Sequence, residues 1–236
     1  MRLRVVPLVC AALLALVGSP AVAVPEPPLG TRIPRWDGGP RASDRDAARV
    51  LRDFGRCVVR TQPGSATLLL RTLPESQEER GAIRTLVGRP TSCLSAARMM
   101  LNSVLFRGSI AEGFLVRAGL DSLPLLPPAP VEEFASYSTR LSAADVDGVD
   151  QQDRAIILGG WLAACVAREQ PQLVVPVLKA APLSREEQAA LRAAEGAFST
   201  CLPSGQVLRV DRFSIRALLA EALYHRVRAS GSSGAD

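Results

Sequence analysis

CVVRTQP at Cys57–Pro63 returns as CVAREQP at Cys165–Pro171, 108 residues later. The likeness extends well beyond the heptapeptide. Phe54–Leu94 aligns on Leu162–Leu202 without a gap, and 15 of 41 positions are identical. The matches include Arg60/Arg168, Gln62/Gln170, Pro74/Pro182, Ser76/Ser184, Glu79/Glu187, Gly88/Gly196 and Cys93/Cys201. Past the second cysteine the offset becomes 109, and RGSIAEGFL at Arg107–Leu115 lies on RALLAEALY at Arg216–Tyr224. A period of this kind restricts the fold more than any single motif, because each unit must be buildable twice. The reading is a tandem duplication, with repeat 1 at 44–117 and repeat 2 at 150–228.

Each repeat reads as four helices. In the first, Val50, Phe54, Cys57 and Val58 fall at i, i+4, i+7, i+8, one helical face. The prolines of TQP and EQP end that helix and open a short second one, since proline fits a first turn but not the interior. SQEE and SREE then read as capping boxes for a third helix. That helix should stop at Gly88 and Gly196, the residue type favoured just past a helix end. A fourth starts after Asn102 and Asp211, both good N-caps. Ile215, Leu218, Leu219, Ala222 and Leu223 give its apolar stripe, with Phe106, Ile110, Gly113 and Phe114 in the first copy. Ala155–Ala167 carries no charged residue. A helix apolar all round is buried all round, so the first helix of repeat 2 is expected at the contact between repeats, with Gly159 and Gly160 allowing close approach.

The two ends and the middle read differently. Arg2 and Arg4, an uncharged apolar run and Ala21-Val22-Ala23 have the layout of a secretory signal peptide cleaved after Ala23. Residues 24–43 are rich in Pro and Gly, and Trp36 is a candidate to pin them to the core. Residues 118–149 form a Pro-rich linker in which Val131–Ser142 could make a short helix, and 229–236 read as a disordered tail. After cleavage no run is long enough to span a bilayer.

Four cysteines remain after cleavage, 36 residues apart in each copy. In an exported chain they read as disulfides. Four cysteines allow three pairings, and a unit that preceded its own duplication would close its own bridge. The expectation is therefore Cys57–Cys93 and Cys165–Cys201. The alternatives are buried free thiols or zinc, and zinc is disfavoured by the lack of C-x-x-C and by the single histidine, His225.

The chain carries a formal charge of +5, but its arginines are spread out and aromatics are few, which argues against nucleic acid. There is no nucleophile elbow, no dinucleotide fingerprint and no P-loop. The paired carboxylates Glu78-Glu79 and Glu186-Glu187 read as capping groups. Arg107/Arg216 and Glu112/Glu221 lie off the apolar stripe and read as solvated or inter-helix ion pairs. Neither a catalytic constellation nor a cofactor or metal site emerges. The more open polar positions are Arg60, Gln62, Arg168 and Gln170. The two arginines could satisfy carbonyls at the end of the first helix, or the four residues could form two related sites for an anionic or peptide ligand.

CVVR…P, SREE…G and RALLAEALY behind a signal peptide resemble exported tandem-repeat proteins of GC-rich Gram-negative bacteria. The resemblance covers about 45–117 and 150–228. It implies export to the periplasm and the repeat layout, and it brings no activity with it. The expectation is an all-α periplasmic protein of two tandem four-helix repeats, each with one disulfide. Its function is expected to be binding or structural, with another envelope protein or a small anionic or peptide ligand as partner. The competing class is an envelope enzyme with an Arg/Glu site.

Overall fold

The computed structural model describes residues 44–88, 93, 102–123, 151–202 and 206–232. The expected signal peptide, the 24–43 segment, the linker from 124 with its short helix, and the tail beyond 232 lie outside the described residues.

Nine helices and no strand are found among the described residues. The first half contributes α1 (Asp44–Thr61), α2 (Pro63–Arg71), α3 (Gln77–Gly88) and α4 (Ser103–Ala118). The second half contributes α5 (Gln151–Glu169), α6 (Pro171–Lys179), α7 (Arg185–Ala193), α8 (Glu195–Cys201) and α9 (Arg212–Ser232). Both bridges form as expected, Cys57–Cys93 and Cys165–Cys201, with Cα separations of 5.5 and 5.6 Å.

The local signals act at their expected positions. Pro63 and Pro171 open α2 and α6. Ser76 and Ser184 Oγ accept from the backbone N–H of Glu79 and Glu187. Asn102 Oδ1 accepts from Leu105 N–H, and Asp211 Oδ1 from Phe213 and Ser214 N–H.

Three features differ from the sequence reading. The third helix of the second half ends at Ala193, and Gly196 lies inside α8, so that half has five helices rather than four. A Cβ at Gly196 would meet nothing within 4 Å, so the position needs no glycine conformation and cannot act as a stop. The tail assignment also started too early, because α9 continues to Ser232.

The third difference concerns the centre of the molecule. The four long helices stand in the order α1, α4, α9, α5, each packed on the next. The central pair is α4 and α9, whose residues are buried on every side from Val104 to Gly113 and from Ile215 to Tyr224. The helix that holds the uncharged Ala155–Ala167 run, α5, is instead an outer member. It packs on α9, α6 and α8 within its own half, and Ile156, Ile157 and Trp161 stay half-exposed.

Close approach needs small residues. A Cβ at Gly55 of α1 would fall on Ser109 O of α4, and one at Gly108 would fall on the backbone of Ala217. Gly108 and Ala217 are 109 residues apart, so the α4–α9 crossing is made by residues that match each other in the two halves. The short helices flank this row: α2 packs on α1, α3 and α4, and α6 on α5, α7 and α9.

Candidate functional site

Two charged constellations lie at the junction of the halves: a buried ion-pair network, and an arginine-lined cleft above part of it.

The network is built on the two central helices. Arg107 of α4 is 1% exposed. Its Nε and Nη2 donate to Glu221 Oε1 of α9 at 2.9 and 2.6 Å, and its Nη1 donates to Glu79 Oε1 at 3.2 Å. Nη1 and Nη2 also reach the Leu69 and Leu70 carbonyls that end α2. Arg216 of α9 makes the same set in the other direction. Its Nε and Nη2 donate to the Glu112 carboxylate of α4 at 2.9 and 2.8 Å. Its Nη1 donates to Glu187 Oε1 at 2.8 Å, and Nη1 and Nη2 donate to the Val177 and Leu178 carbonyls of α6.

Glu79 and Glu187 each serve two partners. Their second oxygens accept from the backbone N–H of Glu75 and Leu183, the two non-glycine residues with positive φ among the described residues, 63° and 58°. Each glutamate thus ties an arginine to a strained turn.

The electrostatics follow from burial set against pairing. Burial pushes the Glu79 carboxyl up, and Arg107 only partly offsets it. Burial also disfavours the charged form of Glu221, but the Arg107 and His225 interactions outweigh it and hold the group at about 2, against an ordinary 4.5. For Arg216 burial works downward, and the hydrogen bonds and charges of Glu112 and Glu187 carry it above its ordinary value. Of the two readings of Arg107/Arg216 and Glu112/Glu221, solvated or inter-helix ion pairs, the second holds: they are buried inter-helix pairs.

The surroundings of the two arginines are not identical. Arg52 of α1 brings Nε within 2.9 Å of Glu112 Oε1, outside hydrogen-bond alignment, and donates from Nη2 to Leu178 O. Glu221 has His225 at 3.6 Å instead.

Arg52 also lines a cleft of about 590 Å³ between α1 and the turn joining α6 to α7. The walls are Arg45, Arg49, Arg52 and Arg56 on one side and Ala181, Pro182, Ser184 and Arg185 on the other, with Asp53 and Glu186 as the carboxylates. Among the described residues five arginines and two acids line the cleft; Arg49 also pairs with Asp46 at 3.3 Å and Arg52 with Glu112 at 2.9 Å. Burial lowers the Arg52 pKa; Glu112 opposes this, while the charges of Arg56 and Arg216 add to it. Nε of Arg56 is buried without a hydrogen-bond partner. On the opposite wall the Glu186 carboxyl is held below its ordinary value by hydrogen bonds to its own backbone N–H and to Ser184.

The four polar positions singled out in the sequence lie elsewhere. Arg60 is exposed one turn beyond the cleft, in the same row of α1. Arg168 donates to its neighbour Glu169 at 2.7 Å. The helix-end carbonyls are served by other arginines: Arg117 donates to Val59 O and Arg226 to Arg168 O, each from the helix packed alongside. Gln62 and Gln170 precede α2 and α6 without capping them through their side chains, and the Gln62 amide is buried with no partner. Arg60 and Gln62 lie at the end of the first helix of one half, and Arg168 and Gln170 at the end of the first helix of the other. The cleft was missed because its arginines were read as dispersed, although Arg45, Arg49, Arg52 and Arg56 follow i, i+4, i+7, i+11, one face of a helix.

Among the described residues no group of His, Cys, Asp or Glu is arranged to hold a metal ion. No helix among them is long and apolar enough to cross a membrane. Comparison with protein-family models, with curated proteins and with solved structures gives no match.

Proposed function

We propose that this chain is an exported, periplasmic binding module of the cell envelope, built by tandem duplication of a disulfide-closed helical unit, and that it binds an anionic ligand in the arginine cleft. The observation that carries the reading is the cleft itself: five arginines converge from α1 and the α6–α7 turn on one concavity at the junction of the halves. Its volume is in the range of a small-molecule site. Arginine is suited to phosphate and carboxylate, because its planar fork donates in pairs.

Export is supported by two disulfides, which belong to oxidising compartments, together with the leader-like N-terminus. Duplication is supported by the matched partners of Arg107 and Arg216 and by the Gly108–Ala217 crossing. The pattern is that of an isologous contact between two copies of one surface.

Binding is favoured over catalysis by the chemistry of the walls. A general acid or base needs a pKa near the working pH. The Glu186 carboxyl in the cleft is shifted the other way. Glu79, which is shifted upward, is enclosed against Arg107 and away from the cleft.

The test is calorimetric titration of the secreted, disulfide-intact chain with inorganic pyrophosphate at low salt. Saturable binding is expected, weakened at least tenfold in an Arg49→Gln/Arg56→Gln double variant and unchanged by Arg60→Gln. Binding that survives the double variant would remove the cleft from consideration.

A further inference from the structure

We infer that the cleft takes an extended chain bearing several anionic groups, a polyphosphate-like ligand, rather than a single anion; this rests on the anion-binding reading above. The argument starts from the geometry of α1. Arg45, Arg49, Arg52 and Arg56 all line the same cleft, at spacings of four, three and four residues. On an α-helix those residues form one row, and at 1.5 Å per residue the row is about 16 Å long. Arg49 has Asp46 at 3.3 Å and Arg52 has Glu112 at 2.9 Å, yet a lone phosphate, a few ångströms across, engages only one or two rungs of such a row and does not reach the others. A chain of phosphates running along α1 neutralises all of them. Arg185 on the facing turn closes on the chain from the other side.

Two further observations favour this ligand. The register shared by Cys57 and Cys165 places Asp153, Ile157, Gly160 and Ala164 of α5 at the positions of the four arginines. The two outer helices do the same packing work in each half, α1 against α4 and α5 against α9. The second half packs its outer helix without an arginine in that row; in the first half Arg52 also has an inward role, donating to Leu178 O beside Glu112, whereas Arg45, Arg49 and Arg56 line the cleft. In addition, no aromatic side chain among the described residues lines the cleft. A nucleic acid would leave its bases without stacking partners, whereas an inorganic or backbone-only polyanion needs none.

Asp53 interrupts the row. It lies four residues after Arg49 and three before Arg56, faces the same cleft, and repels any anion laid along α1. Its removal should tighten binding, which a merely sticky basic surface would show far less.

The experiment compares orthophosphate, pyrophosphate and tripolyphosphate on the intact chain by calorimetry, across a salt series. Affinity should rise at least tenfold from orthophosphate to tripolyphosphate, with a steeper salt dependence for the longer chain. Arg45→Gln, at the end of the row and exposed, should weaken tripolyphosphate several-fold, by a larger factor than orthophosphate, while Asp53→Asn should strengthen tripolyphosphate. Equal affinity for orthophosphate and tripolyphosphate would overturn the extended-chain inference and leave the anion site standing. Tighter binding of a thymidine oligonucleotide than of tripolyphosphate would also overturn it. No saturable binding of any of these probes would bring down the anion-binding reading itself. Far-ultraviolet circular dichroism and the melting temperature of each variant separate loss of binding from loss of fold.

Discussion

Replacing Arg107 by methionine isolates what the buried network contributes. The side chain keeps most of its length, but the guanidinium disappears from an almost fully enclosed site. Glu221 then loses two hydrogen bonds and Glu79 one, leaving two buried carboxylates facing each other. The Leu69 carbonyl keeps the Thr72 backbone N–H and hydroxyl as donors, so the helix-end cost falls mainly on the Leu70 carbonyl. Breaking a buried pair by removing one member costs about 3–5 kcal/mol, a large part of a small domain's stability. The sign of the pH dependence is the sharper readout. Without Arg107, burial and mutual repulsion raise both carboxyl pKa values above their unfolded values. A carboxyl raised in the folded state contributes stability below the unfolded pKa and loses it as pH rises through the folded one. The variant should therefore be closer to wild type at pH 5 than at pH 8, by about 1.4 kcal/mol for each pKa unit by which the window is crossed. His225 lies 3.6 Å from Glu221 and titrates in its own right, so the comparison is made in a His225→Gln background. Urea unfolding with the disulfides intact gives the free energies. A loss under about 1 kcal/mol, or a deficit equal at pH 5 and pH 8, would refute the account of Arg107 as the neutralising charge shared by two enclosed acids.

Other outcomes follow from the same structure. Wild type should lose stability as pH falls from about 4.5 toward 2, the window set by the depressed Glu221, and Glu221→Gln should flatten that slope in acid unfolding curves. Gly108→Ala should cost about 2 kcal/mol or more, since its Cβ meets the Ala217 backbone and overpacking outweighs the gain in helix propensity. Gly81→Ala, with nothing within 4 Å of the new Cβ, should instead gain up to about 1 kcal/mol. Removing either bridge as a Cys→Ser pair should lower stability by about 4 kcal/mol on the chain-entropy argument for a separation of 36 residues; equality between the two bridges is the expected result in denaturant melts.

Helix starts, helix ends and cross-links were legible in the sequence because each is decided by a few neighbouring residues. Pro63, Ser76, Asn102 and Asp211 each dictate local backbone chemistry, and the cysteine spacing needed only the repeat to resolve it. The centre of the molecule was not legible, for a physical reason. Burial was inferred from the absence of charge, and α5 has none between Ala155 and Ala167. Yet α4 and α9 are the enclosed helices, and they carry Arg107, Glu112, Arg216 and Glu221. Charge excludes a helix from a core only when it has no partner there, and the partners here are supplied from 104 and 114 residues away. A single-helix pattern cannot show that. The signal that could have shown it was the recurrence of both residues in both copies, Arg and Glu five positions apart each time, on helices that pack on each other.

The same logic separates what the two halves share from what they do not. The polar and close-approach contacts that hold α4 to α9 are reciprocal: the Gly108–Ala217 crossing, the two arginines, and the glutamates behind them that pin positive-φ turns. A contact of that kind tolerates little change on either side, since each arginine serves the opposite helix, its own third or seventh element and a helix end at once. The outer face of α1 is under no such constraint, and there the halves part company, arginines at 45, 49, 52 and 56 against Asp153, Ile157, Gly160 and Ala164. Arg52 belongs to both worlds, bonded inward to Leu178 O and close to Glu112 while lining the cleft. An anion that drew Arg52 outward would leave Glu112 to Arg216 alone, so occupancy of the cleft and the strength of the inter-half junction are coupled through one side chain.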